Sequence, residues 1–310
     1  MNPPTAYGGQ AVIEGVMIRG RRTIGLACRL PNKDIYRYRE PLKSKLLQSR
    51  IARAPFVRGL VVLWESLSIG TRMLMKSADL QLEEGEGSVS SGGNAVIFGG
   101  ALLFALAFFV GIPYFATQAA QGIVESSLVL NIAEGVLRMV LFLGYLFAIS
   151  FMPDIRRVFM YHGAEHMTIH AFEHGTELTP ARIEPYPTAH PRCGTAFLLF
   201  VVVVSIALFA FLPRTNILVD LVARLALIIP VGSISYEVLR FGAAHETNPV
   251  MRLLVAPGLL LQRITTRRPE PGMIEVAVAS LQEALAGDAE ATASAPAGAA
   301  PAAPTRPSQP

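Results

Sequence analysis

Thr195–Leu212 reads TAFLLFVVVVSIALFAFL, eighteen residues without a charged side chain. A bilayer-crossing helix needs about 20 predominantly apolar residues. A surface helix of a soluble domain would break such a run with a polar stripe. The stretch therefore predicts a transmembrane helix and, with it, a mainly α-helical membrane protein. Three further segments fit the same reading: roughly Ala95–Thr117, Ile132–Met152 and Ile217–Tyr236. The last is the weakest, because it carries Asp220 and Arg224 four residues apart, read as an interfacial pair. Across all 310 residues, 52% are hydrophobic and 16% charged, against about 25% charged in soluble domains.

Orientation follows from the basic residues, which favour the cytoplasmic side. The first 90 residues hold 14 Lys or Arg, the link 118–131 none, and the segment 153–194 four; in total 24 of the 27 fall on one side. Both termini and the segment between the second and third spans are expected in the cytoplasm of a multi-pass inner-membrane protein. The first 90 residues contain no long apolar run, so no signal peptide is expected. Two cysteines, Cys28 and Cys193, make no disulfide framework and suit a reducing compartment. The net charge of +4 reflects basic flanks beside the spans, and no nucleic-acid-binding module is recognisable.

The predicted organisation has four parts. Residues 1–93 form a β-rich cytoplasmic segment, an amphipathic helix over Pro55–Lys76 and a flexible acidic linker over 79–93. The strands are expected within 7–40 as a meander of about three. Residues 94–236 form the four-helix transmembrane region, with a histidine-bearing cytoplasmic loop at 153–194. Residues 237–286 form interfacial helices, including a short amphipathic one at 273–286. Residues 287–310, rich in Ala and Pro, are expected to be disordered.

Chemistry concentrates in that loop. Five of six histidines lie within 29 residues, and His162, His166, His170 and His174 recur at every fourth position. His162-Gly163-Ala164-Glu165-His166 reads H-x-x-E-H, the inverse of the zincin motif. On a helix, residues four apart share a face. His162 and His166 can thus grip one metal ion, with Glu165 beside them as general base. A catalytic zinc site takes three protein ligands and one water. His190 or Cys193 is expected to supply the third, because a proline-rich return, Gly175–Pro191, brings the chain back. Thiolate and imidazole together favour zinc over magnesium or calcium. His170 and His174 are read as solvated, Glu173 and Glu177 as supporting groups or none, and His245 as a weak reserve ligand. Glu14, a carboxylate within an apolar strand, either faces solvent and pairs with Arg19 or Arg21, or reaches the metal site.

Five stretches together resemble the YqhQ-like family of bacterial membrane proteins: Tyr7–Gly20, Tyr161–Ile169, His190–Phe197, Ser235–Phe241 and Ala256–Pro269. The resemblance covers nearly the whole chain except the tail. The resemblance implies a predicted metal-dependent enzyme of unknown function. The resemblance implies His162, Glu165, His166, His190 and Cys193 as site positions, with Glu14 and Glu237 as secondary polar positions. The chain departs from the family pattern at Met167, where Lys is usual, and near Leu260, where Trp is usual.

The leading expectation is a zinc-type, metal-dependent hydrolase at the cytoplasmic membrane face, acting on a lipid-linked or peptide substrate. The first alternative is a non-enzymatic scaffold with a closed structural zinc site of His162, His166, His190 and Cys193. The second is a small transporter using Asp220 and Arg224. The expected partners are the lipid bilayer and the substrate; a homo-oligomer is left open and nucleic acid is not expected.

Overall fold

The computed structural model describes residues 7–42, 54–82, 91–245 and 248–293. Val16–Ile18 and Ile24–Cys28 are short continuous apolar runs split by Arg19–Arg22, the pattern of strands covered on both faces. Four strands, β1 (Gly8–Val12), β2 (Gly15–Arg19), β3 (Thr23–Arg29) and β4 (Ile35–Pro41), form an antiparallel meander in sequence order. That is one strand more than the sequence predicts; Tyr36, Tyr38 and alternating charges make β4 a half-exposed edge. Met17 pairs with Leu26, and both face helix α1 (Val57–Asp79) through Ile69 and Met73. Val16, Ile18 and Ala27 point the other way, into a core shared with α5 (Pro153–Glu173) and α11 (Pro271–Ala293). A Cβ on Gly25 would strike the carbonyl oxygen of Ser280, so glycine lets α11 lie directly on the sheet.

Helix α11 differs from the expected short interfacial helix. It runs to Ala293 and buries Met273, Ile274, Val276, Val278 and Leu281. Its Asp288 accepts hydrogen bonds from Tyr7 Oη (2.8 Å) and from the backbone N–H groups of Arg21 (2.7 Å) and Arg22 (2.8 Å). Residues 287–293 of the expected disordered tail are therefore helix; 294–310 lie outside the described residues, as do 83–90 of the expected linker.

The remaining helices form an apolar bundle. In chain order they are α2 (Ser91–Leu106), a π-helical turn (Ala107–Gly111), α3 (Ile112–Gln118), α4 (Ser127–Ile149), α7 (Gly194–Phe209), α8 (Ile217–Ala226), α9 (Ile228–Ala244) and α10 (Pro249–Thr265). The short α6 (Pro180–Ile183) lies in the return after α5. Three stretches are long and apolar enough to cross a membrane: Val96–Gln118, Ser127–Ile149 and Ile217–Gly242. Their outward surface carries Leu102, Leu103, Val140 and Leu218, each at least 60% exposed. A continuous apolar surface of this kind marks a membrane-associated protein.

Of the four expected spans, the run Thr195–Leu212 is the one whose helix, Gly194–Phe209, falls below the length of the other three. Its helix has 16 residues, about 24 Å at 1.5 Å per residue, short of the roughly 30 Å hydrocarbon layer. One face packs into the bundle, with Phe200, Val202 and Phe209 buried, while Leu198 and Val203 stay exposed. Helix α4 packs against it at Gly135, facing Ile206, and α10 at Gly258, facing Ala196. Helix α10, expected along the membrane surface, is therefore a packing partner of α7, with Val255 and Leu261 buried. A run apolar on every side suits burial among helices as well as contact with lipid.

Two secondary polar positions act as fasteners. Glu14 sits in the β1–β2 turn with φ of +49° and accepts from Arg157 Nε (2.5 Å) and Nη2 (2.6 Å) and from Tyr161 Oη (3.2 Å). The expected partners Arg19 and Arg21 are elsewhere: Arg19 pairs with Glu65 at 2.5 Å. Glu237 binds Arg58 and the Phe56 N–H (3.1 Å), tying α9 to the start of α1. Neither lines the histidine cavity. Asp220 and Arg224 are 3% and 1% exposed rather than interfacial.

Candidate metal centre

Helix α5 begins at Pro153, which cannot donate in a ladder and fits the first turn, with Asp154 there to meet the helix dipole. It ends in a Schellman turn: Gly175 takes φ of +68°, Thr176 N–H reaches Ala171 O (2.9 Å) and Gly175 N–H reaches Phe172 O (3.1 Å). Between these ends, Tyr161 and residues Gly163–Ile169 are buried. The first three histidines of the row therefore turn toward the protein, with His166 buried and His162 and His170 half-buried, while His174 stays exposed.

Three segments converge on it. The proline-rich return supplies Thr188, Ala189 and His190. The start of α7 supplies Cys193 as its N-cap, whose Sγ accepts from Thr195 N–H (3.3 Å). The end of α10 and the residues after it supply Gln262, Thr265 and Arg267. Gly163 makes the last approach feasible, because a Cβ there would collide with the Arg267 carbonyl oxygen.

The backbone fixes the rings. His162 Nδ1 contacts Thr265 O at 2.9 Å and His166 Nδ1 contacts Thr188 O at 2.6 Å. A carbonyl only accepts, so both Nδ1 atoms carry the proton, and each neutral ring presents an Nε2 lone pair. His162 Nε2 lies 3.3 Å from Cys193 Sγ. His162, His166 and Cys193 each bring one potential ligand atom within 4.8 Å of the others. A backbone-fixed imidazole facing a thiol is the arrangement of metal-ligating histidines. Burial pushes the His166 imidazole well below its usual range, which favours the neutral, ligating form.

Of the two candidates for a third ligand, Cys193 joins this pair. His190 instead forms a second group with His170 and Glu173. Arg192 N–H donates to His190 Nδ1 (3.2 Å), so Nε2 is the protonated side, and it faces Glu173 Oε2 at 3.5 Å. Gln262 fixes the His190 backbone on both sides, accepting from its N–H (2.7 Å) and donating to its C=O (2.9 Å). His170 is half-buried, not solvated: its Nε2 donates to Ala189 O (2.9 Å), and burial lowers its pKa to about 4. His174 is exposed, as expected, and so is His245 at the end of α9.

Glu165 is buried beside the triad, its Oε2 3.5 Å from His166 Nε2 and its Oε1 accepting from Gly9 N–H (2.9 Å). Burial holds its carboxyl above the usual carboxylate range. All four side chains line a cavity of about 780 Å³ between β1, α1, α5 and α7. The lining continues to Arg19, Arg192 and two exposed apolar residues, Leu67 and Leu198.

Sequence reasoning missed the carbonyls of Thr188 and Thr265, which no side-chain pattern reveals, and the clamp from Gln262. Gly163 inside the motif is the one local signal that another segment comes close. It also missed Glu134 and Arg138, four residues apart within an apolar helix.

No solved structure matches this chain. The uncharacterized protein YqhQ of Bacillus subtilis (strain 168) is 33% identical over 296 residues, covering 91% of this chain and 93% of that protein. Residues 54–287 match the family described as "Protein of unknown function (DUF1385)". That span includes α5, the proline-rich return and α10, so every residue of the triad falls within it, and the chain belongs to the DUF1385 family.

Proposed function

We propose that this protein is a metal-dependent hydrolase of the inner membrane, with its cavity on the cytoplasmic side. The observation that carries the reading is the meeting of His162, His166 and Cys193 within 4.8 Å, beside the Glu165 carboxylate. The donor set of two imidazoles and one thiol fits zinc. Three ligands beside a cavity match a catalytic site, whereas the closed structural alternative needs His190, whose protonated nitrogen faces Glu173. When bound, a zinc-type ion supplies Lewis-acid activation of water at neutral pH. Glu165 then serves as general base: burial holds its carboxyl above the usual carboxylate range, and Gly9 N–H fixes its orientation. The cavity's apolar lining at Leu67 and Leu198 suits the apolar portion of a lipid-linked substrate, or an apolar peptide. The basic flanks support a topology with both termini in the cytoplasm.

The test is elemental analysis of detergent-purified protein. Wild type and His190→Ala are expected to hold about one zinc-type ion per chain; His162→Ala, His166→Ala and Cys193→Ala lose it. Equally negligible metal in all five proteins would remove the reading. Glu165→Gln should keep the ion and lose hydrolysis.

One contact favours a second reading. Cys193 caps the N-terminus of α7 and lies 3.3 Å from His162 Nε2, the positions of nucleophile and base in thiol hydrolases. Alkylation of Cys193 at the same rate with and without chelator would favour it over the metal reading.

A further inference from the structure

The charges buried in the apolar bundle take no part in the histidine cavity and lie at the opposite end of α7. Cys193 caps the first residue of that helix, while Asn131 donates to the carbonyls of Ala210 (3.3 Å) and Leu212 (2.8 Å) just past its last. Its 16 residues place the two sites about 24 Å apart.

Five ionisable side chains meet there: Glu134 and Arg138 of α4, Arg214 of the α7–α8 link, and Asp220 and Arg224 of α8. None is more than 6% exposed. Glu134 accepts four hydrogen bonds. Oε1 takes Arg138 Nη2 (2.8 Å) and Arg224 Nε (2.9 Å); Oε2 takes Arg214 Nη2 (2.8 Å) and Arg224 Nη2 (2.7 Å). Asp220 is occupied by Tyr114 Oη (3.0 Å) and by the N–H (3.0 Å) and hydroxyl (3.1 Å) of Thr215. Arg138 also donates to Phe109 O (2.8 Å), a carbonyl to which Pro113, four residues ahead, has no N–H to offer.

Guanidinium groups stay protonated in proteins. Three of them against two carboxylates leave one positive charge in excess inside the bundle. The excess has a location. Arg214 Nε and Nη2 are engaged by Asn131, Thr117 and Glu134, but Nη1 is buried with no hydrogen-bond partner among the described residues. A buried donor without an acceptor, on a buried uncompensated charge, is unfavourable on both counts. The Tyr114 ring closes one side, 5.6 Å from the Arg214 guanidinium and 4.7 Å from that of Arg224.

We propose that this cluster is a binding site for one monovalent inorganic anion of halide size, held at Arg214 Nη1 and balancing the excess guanidinium charge. Burial of Nη1 excludes bulky groups such as a lipid headgroup with its glycerol and acyl chains, so the proposal takes the smallest anions. The acidic members cannot serve the same purpose, since both carboxylates are already committed to other donors.

The experiment uses the full chain in detergent, with radiolabelled chloride titrated against gluconate at constant ionic strength. Saturable binding of about one chloride per chain is expected. The melting temperature should rise by roughly 2–4 °C from gluconate to chloride. In Arg214→Gln, binding should fall to background and the two melting temperatures should converge. No saturable binding to wild type overturns the proposal, as does binding unchanged in Arg214→Gln. If that variant fails to fold, the wild-type titration decides alone. A shift with phosphate but none with chloride would overturn the size assignment.

Discussion

Cys193 Sγ and His162 Nε2 stand 3.3 Å apart although 31 residues separate them in the chain. The contact joins the first turn of α7, in the apolar bundle, to the middle of α5, which packs on the sheet. Any ion held there would bridge the two parts. Binding should therefore stabilise their junction as well as serve chemistry, since whatever binds only the folded state stabilises it.

The thiol gives a spectroscopic prediction. Cobalt substituted into the wild type should show thiolate-to-cobalt charge-transfer absorption in the near ultraviolet. Cys193→Ser should lose the band, and His190→Ala should keep it. A band that disappears in His190→Ala and survives in Cys193→Ser would exchange the roles assigned to the two residues.

Gly163 gives a packing prediction. A side chain there drives the Arg267 carbonyl away, and with it the neighbouring Thr265 carbonyl that holds His162 Nδ1. Gly163→Val should weaken metal binding by about 10–100-fold, the usual effect of losing an outer-shell partner, and lower the melting temperature. Competition with a chromophoric chelator measures the first. Unchanged affinity would mean that His162 is oriented by something else.

Glu134 gives a stability prediction. It is the shared acceptor of Arg138, Arg214 and Arg224. Glu134→Gln leaves three guanidiniums facing a neutral amide, and breaking a buried ion pair costs about 3–5 kcal/mol. Denaturant unfolding in detergent should show a loss of that order. A loss below about 1 kcal/mol would mean that the cluster is far better solvated than its burial implies.

The pH dependence follows from His170, whose pKa burial depresses from the ordinary 6.5 to about 4. Between those values the unfolded chain binds the proton and the folded chain does not, so stability rises with pH across the window. It is complete above about pH 6.5 and lost as pH falls toward about 4. Burial pushes His166 the same way, whereas Glu165, with its raised pKa, slopes oppositely over its own window. His170→Gln should therefore flatten, not abolish, the slope of melting temperature against pH between about 4 and 6.5. An unchanged slope would show that His170 is protonated in the folded protein.

Much of the fold and part of the site are legible in the sequence. The H-x-x-E-H spacing places His162, Glu165 and His166 on a helix because a 3.6-residue period is local, and α5 contains all three. Short runs rich in Val and Ile, bounded by turn residues, announce the sheet within 7–40 for the same reason. Glu14 and Glu237 are harder to read. An isolated carboxylate has no local partner, and their arginines, Arg157 and Arg58, lie 143 and 179 residues away.

By itself the sequence determined the quantities that depend on neighbours along the chain: helix and strand period, apolar length, basic flanks and the row of histidines. The tertiary structure decided which side chains share a space. It packed one face of the most apolar run, Thr195–Leu212, against other helices and left Leu198, Val203 and Phe211 exposed, because hydrophobicity does not specify lipid or protein as the partner. It turned His190 to Glu173 and gave Cys193 to His162. The carbonyl that orients His162 comes from Thr265, 103 residues away. Hydrogen bonds act over about 3 Å of space whatever their separation in sequence, so only the folded chain could bring those side chains together.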